Sequence, residues 1–467
     1  MNIFELLPEG LKIETPFTWG LDKSQVDIFN EEDTVLADYE ESPITRFVEM
    51  NTFAYIRCAQ GNTDGAEKLI EEINDLWKNI YESASEKKYY SVDVLKHIKD
   101  ATAYCIYLSA GKKDQAKNME MKGADNFTSD VEKATIFGCQ ALASALFNES
   151  GLDLALKSAK LAVTYAPKCA VWHYVIAKCL RKKRCQNNGL DVSIEERNEF
   201  LLCYKLSPSD HYGISLARMY KESRDWKKSL EIHNEIYSRN PSNIKVRLVL
   251  ALCFMNTKDF VKAKNCLDYI KNLLPPEKRS KTYYHYLGKY YDKTGNYSEA
   301  KENYIKALGD HTGNFSADMD HLKLIKNTSN SKNNSEVIEH LENMLKRYDD
   351  HKDRSLSILL NLAFIYLFKN KDLKLAADNF LKALKINPRN PQLKKFHTAF
   401  DPKINYNVFQ VIRQNILIEN ENDYGDTLKE LKRHCTEYEN PKKLINSLDS
   451  LDTEFVKAFA KTMSLKE

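Results

Sequence analysis

The chain has 467 residues, and its 69 Lys and Arg are nearly balanced by 66 Asp and Glu, for a net charge of +3. That balance excludes nucleic-acid binding by bulk charge alone and moves the question to local distribution. Gly (15) and Pro (12) are scarce, which favours long helices, and ten Cys without a single CxxC pair give no zinc ribbon, redox motif or disulfide framework.

At about 150 residues per domain, the length allows roughly three compact domains. The start, "MNIFELLPEGLKI", lacks the basic opening and continuous apolar stretch of a signal peptide. No run approaches the roughly 18 apolar residues that a membrane span needs. Cys105, Cys179, Cys203 and Cys253 lie within apolar helical patterns, where free Cys acts as a small hydrophobe. The expectation is a cytoplasmic protein in a reducing compartment, with no membrane association.

Residues 1–43 form an N-terminal element. Its "PFTWGLDKSQVDIFNEEDT" carries an aromatic anchor (Phe17, Trp19) and then a short helical pattern. From residue 44 the chain becomes repetitive. In "TYYHYLGKYYDKTGNYSEAKENYIKALGD", Tyr284, Leu287, Gly288 and Tyr291 share one helix, and Ala300, Tyr304 and Ala307 share the next. Small residues let two antiparallel helices approach, and large ones fill the space towards the next pair. This resembles the tetratricopeptide repeat, a helix–turn–helix of about 34 residues.

The same spacing holds for Leu142 to Pro167, Leu216 to Pro241 and Leu250 to Pro275. It returns with one extra residue from Leu362 to Pro388. Weaker copies cover 44–78, 91–127, 169–208 and 316–349, and the third of these has a longer inter-helix loop, "RKKRCQNNGLDVS". Nine helix pairs between about 44 and 388 are expected to stack as an all-α tetratricopeptide-repeat superhelix (α-solenoid), with first helices lining the concave face. The repeats group as 44–167, a central basic-groove set at 168–310, and 311–388 after a possible hinge in the Asn/Ser-rich 309–335 segment. Residues 389–467, with "VFQVIRQNILIE" and "TEFVKAFAKTM", form a helical cap.

No GxxxxGK[ST], GxGxxG, HExxH or GxSxG occurs, and the 11 His show no metal-ligand spacing. Acidic pairs such as Asp349/Asp350 read as solvated faces. The expectation is a binding protein: not an enzyme, with no cofactor and no metal. Repeat register aims positions 2, 5, 9, 12 and 13 of each first helix inward. Across 169–295 these positions gather Lys178, Arg181, Lys182, Arg218, Lys221, Lys245, His285, Lys289 and Lys293. Positive charge in a confined groove attracts an anion despite a small net charge, whether an RNA backbone or an acidic peptide. Most of the 26 Tyr occupy core positions, whereas Tyr283, Tyr286 and Tyr290 are less constrained and available to stack on bases.

The opening "FTWGLDKSQVDIFNEEDT", followed by "FVEMNTFAYIRCAQGNTDGAEKLIEEI", is similar to the start of the interferon-induced proteins with tetratricopeptide repeats, the IFIT family. Phe17, Thr18, Trp19, Leu21, Asp27, Phe29, Glu32, Asp33 and Thr34 fit that opening, which lies outside the repeat consensus. The resemblance implies a cytosolic antiviral protein that holds the triphosphorylated or capped 5′ end of single-stranded RNA. The family's Glu, Thr and Gln on the helix after FTW fall on Asn30, Thr34 and Asp38, of which Thr34 is retained. A family Arg falls at Arg181 or Lys182, a Tyr at Lys245, and a His–Gln pair at His285 and Tyr286. The leading expectation is therefore an RNA-binding adaptor, with Asn30 and Thr34 at the first nucleotide. The alternative is a repeat scaffold or co-chaperone-like module, with Lys245 and Asn256 available to grip the acidic tail of a protein partner.

Overall fold

A computed structural model describes residues 11–21, 43–82, 89–119, 121, 123–147, 149–186, 191–309, 314–328, 334–401, 403–418 and 425–439. The described residues are helical throughout, apart from turns and one isolated antiparallel bridge between Phe396 and Tyr406. The chain forms two compact units, Met1–Val246 and Arg247–Glu467.

The first unit contains five helix pairs: α1 (Pro43–Ala59) with α2 (Thr63–Glu82), α3 (Val92–Ser109) with α4 (Lys113–Lys117), α5 (Asp130–Ser144) with α6 (Glu149–Tyr165), α7 (Ala170–Gln186) with α8 (Ile194–Leu206), and α9 (Asp210–Glu222) with α10 (Trp226–Ser238). α11 (Ile244–Asn256) begins at the junction. The second unit continues with α12 (Phe260–Leu273), α13 (Lys281–Lys293), α14 (Tyr297–Leu308), α15 (Phe315–Thr328), α16 (Ser335–Arg347), α17 (Lys352–Ile365), α18 (Leu373–Ile386), α19 (Val408–Asn415) and α20 (Gly425–Glu439). Nine pairs thus precede α19 among the described residues, in the number and order that the repeat spacing predicts.

Local chemistry starts and stops these helices. Ser91, Ser129, Ser209 and Ser280 each accept a backbone N–H at the opening of a first helix, Ser193 does so for the second helix α8, and Ser129 forms a reciprocal capping box with Glu132. In several pairs the turn places a left-handed residue two positions before the second helix. Gly61, Gly111 and Gly295 fill that place at no steric cost, but Arg224 (φ 62°), Lys258 (φ 63°) and Lys371 (φ 57°) fill it elsewhere. The extra residue of the 356–390 repeat is absorbed by a single π-helical turn, Tyr366–Asn370, just before Lys371.

Small residues set how closely the helices approach. Trp172 on α7 is fully buried, and a Cβ on Gly138 of α5 would lie 2.4 Å from its ring. In the second unit, a Cβ on Gly288 of α13 would lie 2.8 Å from Tyr304 of α14. The core of the first unit runs continuously from Trp19 to Cys179, and a second cluster joins α7, α8 and α9 through Tyr174, Phe200 and Tyr212. Each large apolar side chain buried in this way contributes about 1.5–3 kcal/mol.

One loop expectation is corrected. α7 does not stop before "RKKRCQ" but continues through Gln186, so Arg181 to Arg184 are helical. Asn30, Thr34, Asp38 and the segment "TEFVKAFAKTM" lie outside the described residues.

Candidate nucleic-acid interface

In the N-terminal element, the FTW stretch is held by hydrogen bonds at both ends. The Trp19 Nε1–H donates to Glu14 Oε2 at 2.6 Å, and Gln140 of α5 donates to the same oxygen at 3.2 Å. The Glu14 amide donates to His97 Nε2, and the Tyr55 hydroxyl donates to the Leu21 carbonyl. Phe17 meets Tyr55 edge to face at 4.9 Å. A cavity of about 500 Å³ lies beside this knot, lined by residues 11–14 with Thr18, Trp19, Gln140 and Leu154.

The cations of α7 are largely engaged within the protein, because helical extension brings them against α8 and α9. Arg181 Nε donates to both oxygens of Glu222, at 3.0 and 3.1 Å. Arg184 clamps the buried Glu196 at 2.9 and 3.0 Å and reaches Glu222 at 2.6 Å. Burial favours the neutral form of Glu222, but the two guanidiniums outweigh it and hold its carboxyl below the usual range. Lys182 donates to the Ala145 carbonyl at 3.1 Å, and Lys183 pairs with Asp153 at 2.6 Å. Lys178 is half-buried. This network ties three successive repeats together, so little of its charge is left for a ligand.

One repeat later the situation reverses. Arg218 and Lys221 on α9 are both exposed, and they lie three residues apart, on one helix face. Arg218 makes no ion pair or side-chain hydrogen bond among the described residues, and the Lys221 ammonium stands 6.0 Å from the Trp226 ring. Lys245, at the start of α11, is half-buried.

In the second unit, His285 and Lys289 converge on one carboxylate. Asp320 Oδ2 lies 3.0 Å from His285 Nε2 and 2.8 Å from Lys289 Nζ, while Lys323 reaches Oδ1 at 3.0 Å. Burial opposes the charge on Asp320, but the His285 hydrogen bond and the two Lys charges prevail and hold its carboxyl below the usual range. His285 is itself buried. Lys293 is exposed at the end of α13. Asp320 belongs to the weakest repeat, where register gives no reliable facing position, so spacing alone could not reveal it. The tyrosine reading needs a correction: Tyr283 is 1% exposed and belongs to the core, whereas Tyr286 and Tyr290 are half-buried.

The tetratricopeptide-repeat family model matches residues 282–309 and 356–390. No curated protein sequence matches the chain. Among solved structures, "Human IFIT1 dimer with PPP-AAAA" superposes with a TM-score of 0.53 at 14% identity, covering 96% of this chain and 98% of that one. "Human IFIT1 dimer with m7Gppp-AAAA" gives 0.53 at 14% identity, over 91% and 98%. A monomeric IFIT1 mutant with Gppp-AAAA gives 0.52 at 15% identity, over 91% and 98%. The chain is similar in fold to human IFIT1. At this identity the likeness extends to the repeat architecture alone, so any ligand must be argued from this chain's own residues.

On that basis the residues fall into two groups. Arg181, Lys182, His285 and Lys289 have partners within the protein, whereas Arg218, Lys221 and Lys293 present charge to solvent. No group of three or more His, Cys, Asp or Glu among the described residues could hold a metal ion. No helix among them is long and apolar enough to cross a membrane.

Proposed function

We propose that this chain is a non-catalytic binding protein for single-stranded RNA. The observation that carries the reading is the exposed, uncompensated pair Arg218 and Lys221 on a first helix of the repeat array. The IFIT1 structures of similar fold hold short RNA ends, named as PPP-AAAA and m7Gppp-AAAA. RNA phosphates contact Arg218 and Lys221 in the first unit, with Lys178 and Lys245 as flanking cations, and Lys293 supplies a cation in the second unit. Arg181, Lys182, His285 and Lys289 act mainly as positioning residues that keep the repeats in register. Asn30, Thr34 and Asp38 are the residues at which recognition of an RNA end is to be tested. A cytoplasmic, antiviral role follows from the resemblance of the opening segment and is tested by fractionation and by infection of cells lacking the protein.

The direct experiment measures binding of 5′-triphosphate, capped and 5′-hydroxyl RNAs of one sequence across a salt series. RNA binding through these cations weakens with log salt by about 0.7 per phosphate contact, and Arg218→Glu removes more than one contact by reversing the charge. Binding of an acidic peptide with no binding of any RNA refutes the reading and favours a scaffold for protein tails.

A further inference from the structure

The turn from α9 into α10 stands out on two independent counts. Trp226, the first residue of α10, is 60% exposed, ahead of Tyr297 at 51% and Phe368 at 37%. An indole in water leaves a large stacking face unused. Residues 218–228 hold five cations (Arg218, Lys221, Arg224, Lys227, Lys228) against two carboxylates, Glu222 and Asp225.

Both carboxylates are already occupied. Glu222 is clamped by Arg181 and Arg184, whereas Asp225 caps α10 by accepting the Lys228 amide and pairs with the Lys228 ammonium at 3.5 Å. Arg224 and Lys227 are exposed and make no side-chain hydrogen bond or ion pair among the described residues. Arg224 sits at φ 62°, a place filled by Gly in the turns of α1/α2 and α3/α4 and by Lys258 and Lys371 in two others. A bulky cation is held there at a backbone cost that Gly would avoid.

An accessible aromatic face with an ammonium 6.0 Å away and uncommitted cations at neighbouring chain positions is the arrangement that holds unpaired bases: the ring stacks on any base, and the cations track the backbone. A protein tail rich in acids would use the cations but leave the indole idle. A duplex offers no unstacked base. We propose that this turn is a contact site for single-stranded RNA in which one base stacks on Trp226 while Arg224 and Lys227 hold the flanking phosphates, with Lys221 beside the ring. The site lies on the turn of the repeat and extends the α9 pair of Arg218 and Lys221. It rests on the reading that the chain binds RNA.

The test uses the full chain and a 5′-hydroxyl oligoadenylate of about 12 nucleotides, long enough to cover one such surface. Of the four Trp, Trp19 and Trp172 are buried and Trp77 is half-buried, so the emission difference between the wild type and Trp226→Phe isolates Trp226. Titration quenches that emission. Trp226→Ala weakens binding about 5- to 150-fold, and Trp226→Phe restores most of it. Arg224→Gly and Lys227→Gln each lower the salt slope by about 0.7. Arg224→Gly suits the left-handed backbone, so its effect reads charge rather than misfolding.

If the oligonucleotide binds wild type and Trp226→Ala equally and leaves the emission unmoved, this site is refuted while RNA binding elsewhere stands. If the wild type binds no RNA at all, both readings fall. Equal quenching by a duplex, or quenching by polyglutamate and not by oligoadenylate, also overturns the proposal.

Discussion

Acidification should destabilise the second unit through one histidine. His321 on α15 is 5% exposed, and neither ring nitrogen has a hydrogen-bond partner among the described residues. Its ring lies 4.9 Å from that of His340 and 6.1 Å from that of Tyr304. Burial is the main influence and favours the neutral ring. His340, Lys301 and Arg347 add repulsion, which Asp318 only partly offsets, and the result is a pKa lowered from 6.5 to about 4. The native state therefore resists a proton that the unfolded chain takes up below about pH 6.5. Stability from this group is complete above pH 6.5, falls as pH drops towards 4, and is level below that. The gap of about 2.5 pKa units corresponds to about 3 kcal/mol. His321→Leu removes the titrating group and leaves no buried polar atom in its place. Urea unfolding of the wild type and of His321→Leu at about pH 7.5 and about pH 4.5 should show the variant losing about 2.5 kcal/mol less than the wild type, most of the full difference. Other titrating groups common to both proteins, such as His434, cancel in that comparison. An NMR titration of the His321 ring with a midpoint near 6.5, or parallel pH dependence of the two proteins, refutes the reasoning.

Three further outcomes follow from packing and charge. Gly138→Ala drives a methyl into the fully buried Trp172 ring and should destabilise the first unit by about 1–3 kcal/mol in thermal or urea unfolding. Lys258→Gly should stabilise the protein by up to about 1 kcal/mol, because relief of the left-handed backbone exceeds the entropy that Gly adds to the unfolded chain; a drop in the unfolding midpoint would contradict this. Glu222→Gln releases Arg181 from its ion pair and leaves Arg184 on Glu196 alone, so stability should fall by about 1–3 kcal/mol while oligonucleotide affinity rises. An unchanged affinity would mean that these guanidiniums do not face the RNA.

Fold was the more legible half. Alternation of small and large apolar residues at helical spacing, from Ala54 to Ala383, dictates paired helices with little tertiary help, because each pair meets mainly its neighbours. The extra residue near Tyr366 was visible as a register slip, although only the structure shows it taken up as a π-helical turn. Charge was far less legible. Arg181 and Arg218 look alike in the sequence, since both occupy inward positions of first helices. Arg181 is spent on Glu222, which arrives from α9, whereas Arg218, four residues before Glu222 on that same helix, makes no ion pair among the described residues. His285 and Lys289 are likewise claimed by Asp320, from a repeat too divergent to place by register.

The linear sequence by itself determined the helix pairs, their order, the caps and the absence of recognisable catalytic motifs, because these follow from contacts between near neighbours along the chain. Tertiary structure alone decided which cations are neutralised, that Tyr283 is core, that Trp226 stands in solvent and that His321 finds no hydrogen-bond partner among the described residues. Those properties depend on which distant side chain arrives within about 3 Å, and helical periodicity carries no information about that.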